Sequence, residues 1–377
     1  MALLIMATLC IISFIIQKSK KVAILICIYM WIFYSFNTYS GDYISYAYVY
    51  NLIGKGMLWD HFEPAFSLMM IICNIIGLSF TDFKIILGTF YVILLYVTVK
   101  KYTDRVSFVL GIFLIFPFMY FVSVLRAGIS GLIVVYSIGF LLENTRKNTL
   151  KYLLGILIAM LFHYSSIFFL IFLFARKKVN LSWIMKMLCI MAVAGLMYSQ
   201  GIFYQVVRLI TDNQKVLQWF EFISLDDVLN WKGRLVEFIV FFGFIYVPRK
   251  SFSKLYSFVE KKGKLREYDK EIKFQLLIKN CNYTMVLLIP FLFFTDVYIR
   301  MLWEIFLINI CACANAVTVV KKIQCRKIKG MLPAINMLLI VLVIGLNCYV
   351  NIPYLGTEIF GIYMFKNNIF FNSLVFW

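Results

Sequence analysis

Arg126 and His163 sit inside runs otherwise built of Leu, Ile, Phe and Val: YFVSVLRAGISGLIVVYSIGFLL and LLGILIAMLFHYSSIFFLIFLF. An arginine in hydrocarbon costs about 3 kcal/mol on insertion scales, so it must face protein, water or an anion. A guanidinium fork matches phosphate oxygens at two points, which makes an anion site one reading of Arg126. The other is an arginine that snorkels to a nearby interface or caps carbonyls. Ser123, Ser130 and Ser137 fall on or near its helical face, with Gly128 and Gly131 beside them. Such a polar stripe among small residues predicts close helix packing and a wet groove. His163 lies midway along its run, with Ser166 three residues on. It reads either as a hydrogen bond between helices or as a base that takes a proton from a hydroxyl near neutral pH.

Other charged residues stand at the edges of apolar runs. Glu63 precedes Pro64, a residue that suits the first turn of a helix. A glutamate there either favours the positive end of the helix dipole or binds and deprotonates a hydroxyl. Asp42 has the same standing. Arg300 lies four residues from both Asp296 and Glu304, which reads as an intrahelical ion pair or as a second phosphate ligand. Arg234 is a third cation, alternatively an interface anchor. Tyr43, Tyr46 and Tyr50 share one face at helical spacing, as in an interfacial amphipathic helix or an aromatic belt.

The elements that carry these residues are membrane helices. The chain has 377 residues, 63% hydrophobic and 15% charged, with mean hydropathy +0.88. Apolar runs recur along its whole length, and alternating ten-residue strand patterns are absent. The expected fold is an all-α polytopic integral membrane protein, one transmembrane domain over residues 1–377. About twelve spans are expected from run length. Their cores are 1–16, 22–38, 65–80, 84–99, 107–121, 124–142, 152–174, 183–199, 235–248, 276–294, 298–319 and 331–351, with one or two of them re-entrant. Met1 to Ile16 lacks a basic leader and a small-residue cleavage site, so it is expected to be a retained span.

The net charge of +19 does not imply nucleic acid, because the lysines and arginines lie in short loops between apolar runs. Positive-inside bias and anionic headgroups explain the excess. The basic loop 249–273 is expected to be cytoplasmic, along with Lys18 to Lys21, Arg176 to Lys178 and Lys321 to Lys329. Counting spans then places loops 40–62 and 200–234 and the C-terminal tail outside. Lys100 to Arg105 and Asn144 to Lys151 also fall outside and break the bias, so one of the first four spans is expected to be miscounted. The loop 200–234 mixes Arg208, Asp212, Glu221, Asp226, Asp227 and Arg234 with Trp219 and Trp231, a composition that suits either stacking on sugar faces or an ordinary amphipathic loop. The nine cysteines show no paired framework and read as small apolar fillers. No metal site or cofactor is expected, since neither a Gly-rich phosphate loop nor an Asp-x-Asp pair occurs.

Taken in order, GDYISY at Gly41 to Tyr46, HFEPAF at His61 to Phe66, LRAGIS at Leu125 to Ser130, FHYSS at Phe162 to Ser166 and YIRMLW at Tyr298 to Trp303 resemble the EpsG family, relatives of Wzy-type O-antigen polymerases. One departure is Ala127, where that family commonly carries Gln. The resemblance implies a bacterial cytoplasmic-membrane enzyme that joins oligosaccharide repeats carried on undecaprenyl diphosphate into capsular or O-antigen polysaccharide at the outer face. Membrane lipids, a chain-length regulator and a flippase would be its partners. It also implies that Arg126, with Arg300 or Arg234, holds the diphosphate leaving group, while His163, Glu63 or Asp42 acts on the acceptor hydroxyl. A flippase for lipid-linked oligosaccharide and a membrane acyltransferase are the rival expectations; the inverted repeats usual in transporters are not visible.

Overall fold

The computed structural model describes residues 1–56, 62–176, 181–209, 217, 250, 252–287, 297–322, 338–346, 364–365 and 367–373. Among them every extended element is helical, and β pairing is limited to a bridge between Asn37 and Asn368. Three helices, Phe80–Tyr102, Leu125–Leu142 and Arg300–Val319, are long and apolar enough to cross a membrane. The chain is therefore a helical membrane protein. The expected span at 235–248 lies outside the described residues, and those at 276–294 and 331–351 lie partly outside them.

The helices that matter for the site are α1 (Ala2–Ile15), α2 (Lys20–Phe36), α3 (Tyr43–Gly54), α4 (Pro64–Ile75), α5 (Phe80–Tyr102), α6 (Val106–Ile115), α7 (Phe118–Ser123), α8 (Leu125–Ile138) and α9 (Arg146–Met160). Local chemistry sets their limits. Ser79 and Asp82 form a reciprocal capping box that starts α5, and Ser19 and Thr145 cap α2 and α9. Pro117 lacks an amide hydrogen, so α6 stops before it and α7 and α8 follow as separate pieces. A 3-10 helix, Tyr164–Arg176, returns after α9. Further on come α10 (Leu181–Ser199), α11 (Ile202–Arg208), α12 (Asp269–Met285), α13 (Val297–Glu304) and α14 (Phe306–Lys322).

Contacts fix two ends of the bundle. At the first, the Ser107 hydroxyl donates to the Ile16 carbonyl, Gly139 N–H donates to Tyr102, and the Arg176 guanidinium reaches the Phe140 carbonyl. The Tyr102 ring stacks on Phe274, and Leu255, Val259 and Tyr268 pack on Ala316, Val317 and Val319. Lys100 to Arg105 and the loop after Ile138 therefore share an end with Lys18 to Lys21 and the helical residues 252–261. At the opposite end, Lys84 Nζ donates to the Asn37 carbonyl, and Thr38 binds the Asn367 carbonyl.

This geometry corrects the expected span at 65–80. The chain leaves α2 at Asn37 and enters α5 at Ser79 from the same end, so the segment between makes no net crossing. Ala65 N–H donates to the Leu161 carbonyl, at the depth of His163, whereas the Leu78 carbonyl accepts from Tyr50. Helix α4 climbs from inside the bundle back to the end it came from. Removing that crossing brings both basic loops that broke the charge bias to the basic end. The expected span at 152–174 is corrected likewise, because α9 leaves from that end and the 3-10 helix brings Arg176 back to the Phe140 and Glu143 carbonyls there.

Glycine lets α8 approach its neighbours. A Cβ on Gly155 would stand 2.0 Å from Ser137 Oγ and 2.7 Å from its Cβ, so α8 and α9 touch there. The Ser137 hydroxyl donates to the Ile133 carbonyl, and Ser137 is buried. The expected wet stripe is thus dry packing at this point. Ser123 belongs to α7, beyond the break at Val124, and lies on a different helix from Arg126. Replacing Gly155 by Ala should cost about 1–3 kcal/mol by overpacking. The check is thermal unfolding of the purified protein in detergent; an unchanged midpoint would rule out the close approach.

Candidate functional site

Arg126 occupies the first turn of α8, where a helix presents its positive pole. Gly128 of the same turn backs onto Tyr91, the midpoint of α5, so this turn is packed inside the bundle, level with the middle of α5. Both circumstances disfavour a lone cation, and a carboxylate supplied from another element offsets them. Glu63 is the N-cap residue of α4, yet its side chain does not cap that helix. It turns instead to Arg126, with which it forms an ion pair through Arg126 Nη1.

The second oxygen of Glu63 is 3.0 Å from His163 Nδ1 and accepts from the Tyr164 backbone N–H at 3.2 Å. His163 lies between α9 and the following 3-10 helix, and its own N–H donates to the Ala159 carbonyl at 2.9 Å. Arg126 Nε donates to the Tyr46 hydroxyl at 3.3 Å, and the guanidinium lies 4.5 Å from the Phe62 ring centroid. Tyr46 is buried against Phe62 and Phe66. Partners 63, 80 and 100 residues apart thus form one hydrogen-bonded network. Glu63 is 3% exposed, whereas Arg126 and His163 keep 22% and 16% exposed, so these two carry the accessible surface of the cluster.

The remaining expected residues divide. Asp42 precedes α3 and makes no cap with its side chain. Burial pushes its carboxyl above the usual carboxylate range, while Arg300, Arg126 and His163 act in the opposite direction. Arg300, on α13, is half-buried and within electrostatic reach of Asp42, Tyr120 and Glu304. It forms no ion pair with Glu304, whose two carboxylate oxygens are buried without hydrogen-bond partners among the described residues. Asp296, Arg234 and His61 lie outside the described residues. Tyr43 is placed elsewhere: its ring packs on Phe80 and sits 5.0 Å from Lys84 Nζ.

Two buried charged residues, Lys84 and Glu304, were not singled out from the sequence for a role of their own. Lys84 is buried in α5, and its place inside the apolar run FKIILGTF was the available signal. Ser130 and Ser166, which the sequence places beside Arg126 and His163, share a hydrogen bond between α8 and the 3-10 helix, a pairing that spacing alone does not indicate. Glu304 was noted only as a neighbour of Arg300, yet its side chain packs against Gly131 of α8.

The chemistry available follows from the hydrogen bonds. A neutral imidazole that donates from Nδ1 to a carboxylate leaves Nε2 as an acceptor, ready to take a proton. Among the described residues Nε2 has no partner. Arg126 spends one nitrogen on Glu63 and another on Tyr46, which leaves Nη2 without a hydrogen-bond partner among the described residues. An imidazole and a guanidinium are therefore joined through one carboxylate. No curated protein and no solved structure matches this chain. The EpsG family model matches residues 20–360, where the membrane helices, the Glu-Pro start of α4, the embedded arginine and the Phe-His-Tyr-Ser turn all fall, and the chain belongs to the EpsG family.

Proposed function

We propose that this protein is a polysaccharide polymerase that joins undecaprenyl-diphosphate-linked oligosaccharide repeats at the outer face of the bacterial cytoplasmic membrane. Family membership supports a role in polysaccharide synthesis. The single observation that carries the reaction is the Glu63-centred link between Arg126 and His163 inside the helical bundle. His163 Nε2 takes the proton of the acceptor hydroxyl, and that oxygen forms a bond to the anomeric carbon of the growing chain. The bond from that carbon to the lipid diphosphate breaks, and its electron pair leaves with the diphosphate. Arg126, aided by Arg300, meets the developing charge. Glu63 holds three donors already, so it acts as a positioning residue for both partners rather than as the base.

The purified protein in liposomes, supplied with lipid-linked repeat units, should convert them to a ladder of longer chains. Substrate that becomes protected without lengthening would establish transport instead, and modification that requires an acyl donor would establish acyl transfer.

Orientation follows from the basic end, which faces the cytoplasm under the positive-inside rule. Lys55 and Asp104 are both exposed, at opposite ends of the bundle. In intact cells an impermeant maleimide should label Lys55→Cys and spare Asp104→Cys. Labelling of both would show that α4 crosses after all, and the reversed pattern would invert the protein.

A further inference from the structure

A second polar site lies at the basic end, away from Arg126. A cavity of about 770 Å³ opens between the end of α1, the start of α2, the loop before α6 and the last turns of α14. Among the described residues its polar lining is Gln17, Lys18, Ser19, Arg105 and Thr318, with no acidic residue. Arg105 is only 3% exposed, and its Nη1 is buried without a hydrogen-bond partner among the described residues. Its guanidinium carbon lies 5.8 Å from the Phe108 ring centroid, and among the described residues no carboxylate pairs with it. A buried guanidinium with an orphan donor is expensive, and each such group calls for a partner.

The start of α2 points the same way. Its first turn carries Lys20 and Lys21 and no acid, although a helix N-terminus favours negative charge. An anion seated beside Ser19 would offset the helix dipole, the two lysines and Arg105 together. Basic pockets between membrane helices at the cytoplasmic side suit phosphate-bearing headgroups.

We propose that this cavity binds the phosphate of an anionic ligand, held by Arg105 and Lys18 at the positive end of α2. The shared chemistry is a phosphate ester or free phosphate, drawn either from an anionic lipid of the adjoining leaflet or from solution. The site is independent of the polymerase reading and stands or falls without it.

The test uses the full-length protein in detergent. Inorganic phosphate is titrated against chloride at matched ionic strength while thermal unfolding is followed. In parallel, retention of phosphatidylglycerol against phosphatidylcholine is measured by native mass spectrometry. Stabilisation by inorganic phosphate identifies a soluble ligand, whereas selective retention of phosphatidylglycerol alone identifies a headgroup. Either effect should weaken by about tenfold or more in Arg105→Met, the loss of a charge-assisted bond. Lys18 is exposed, so Lys18→Gln tests the same site without disturbing the buried shell and should weaken binding severalfold. Absence of both effects in the wild type, or effects that survive both substitutions, overturns the proposal.

Discussion

Arg126→Ala should abolish long polysaccharide while the protein still reaches the membrane. The expected loss is about 10²–10³-fold in polymerisation rate, the scale of removing one donor that faces developing negative charge. The substitution also leaves Glu63 buried without its cation, and breaking a buried pair in that way costs about 3–5 kcal/mol. A fall in stability alone would mimic a catalytic defect, so a second variant separates the two. Arg126→Met combined with Glu63→Gln removes both charges and should recover much of the thermal stability lost by the single change. It should recover none of the activity. Arg126→Lys keeps the charge but forfeits the Nε bond to Tyr46 and the planar fork, so it should also be defective. The measurement is a ladder assay on liposomes beside a thermal midpoint. Chains of normal length from Arg126→Ala would end the assignment of this residue to the leaving group.

Glu63→Gln should be nearly as damaging as loss of the histidine, even though the amide is close in shape. The carboxylate accepts from His163 Nδ1 and from Tyr164 N–H on one oxygen and from Arg126 on the other. An amide offers only one acceptor oxygen and presents its NH₂ to a neighbour that also donates. The imidazole is then free to take the wrong tautomer, with its proton on the nitrogen that should accept. By comparison with other carboxylate-held catalytic histidines, the fall in rate should approach about 10³–10⁴-fold. Residues that act as one unit do not add, so the double variant Glu63→Gln with His163→Gln should be little worse than His163→Gln alone. Multiplicative losses in that cycle would mean that Glu63 and His163 act separately, and a fully active His163→Gln would remove the histidine from the reaction.

Both predictions rest on a carboxylate whose importance depends on its partners. Glu63 was visible beside Pro64 as the start of a helix, and either a dipole effect or a role on a hydroxyl was compatible with that place. Neither named the partners it meets in the fold. Its partners are 63 and 100 residues distant, and no local pattern specifies which acid meets which cation across such loops. The same holds for Arg300, whose neighbours at four residues predicted an ion pair on its own helix. Glu304 points to Gly131 of α8 instead, because the missing Cβ leaves a space that the carboxylate's stem fills. Tyr43 and Tyr46 share one stripe by spacing but divide between Lys84 and Arg126, because α3 packs against α5 through one and reaches α8 through the other.

The sequence alone determined the solvent and the polar cast. Hydropathy along 377 residues requires a membrane, since so much apolar surface has no other stable environment. The cost of charge in hydrocarbon marked Arg126 and His163 as residues needing partners, and loop lysines marked a basic end. Tertiary structure decided who those partners are, that α4 turns back instead of crossing, and that Ser137 seals a dry contact. These outcomes depend on close packing between elements remote in the chain, where shape and the demand to satisfy every buried polar group choose among pairings that composition leaves equal.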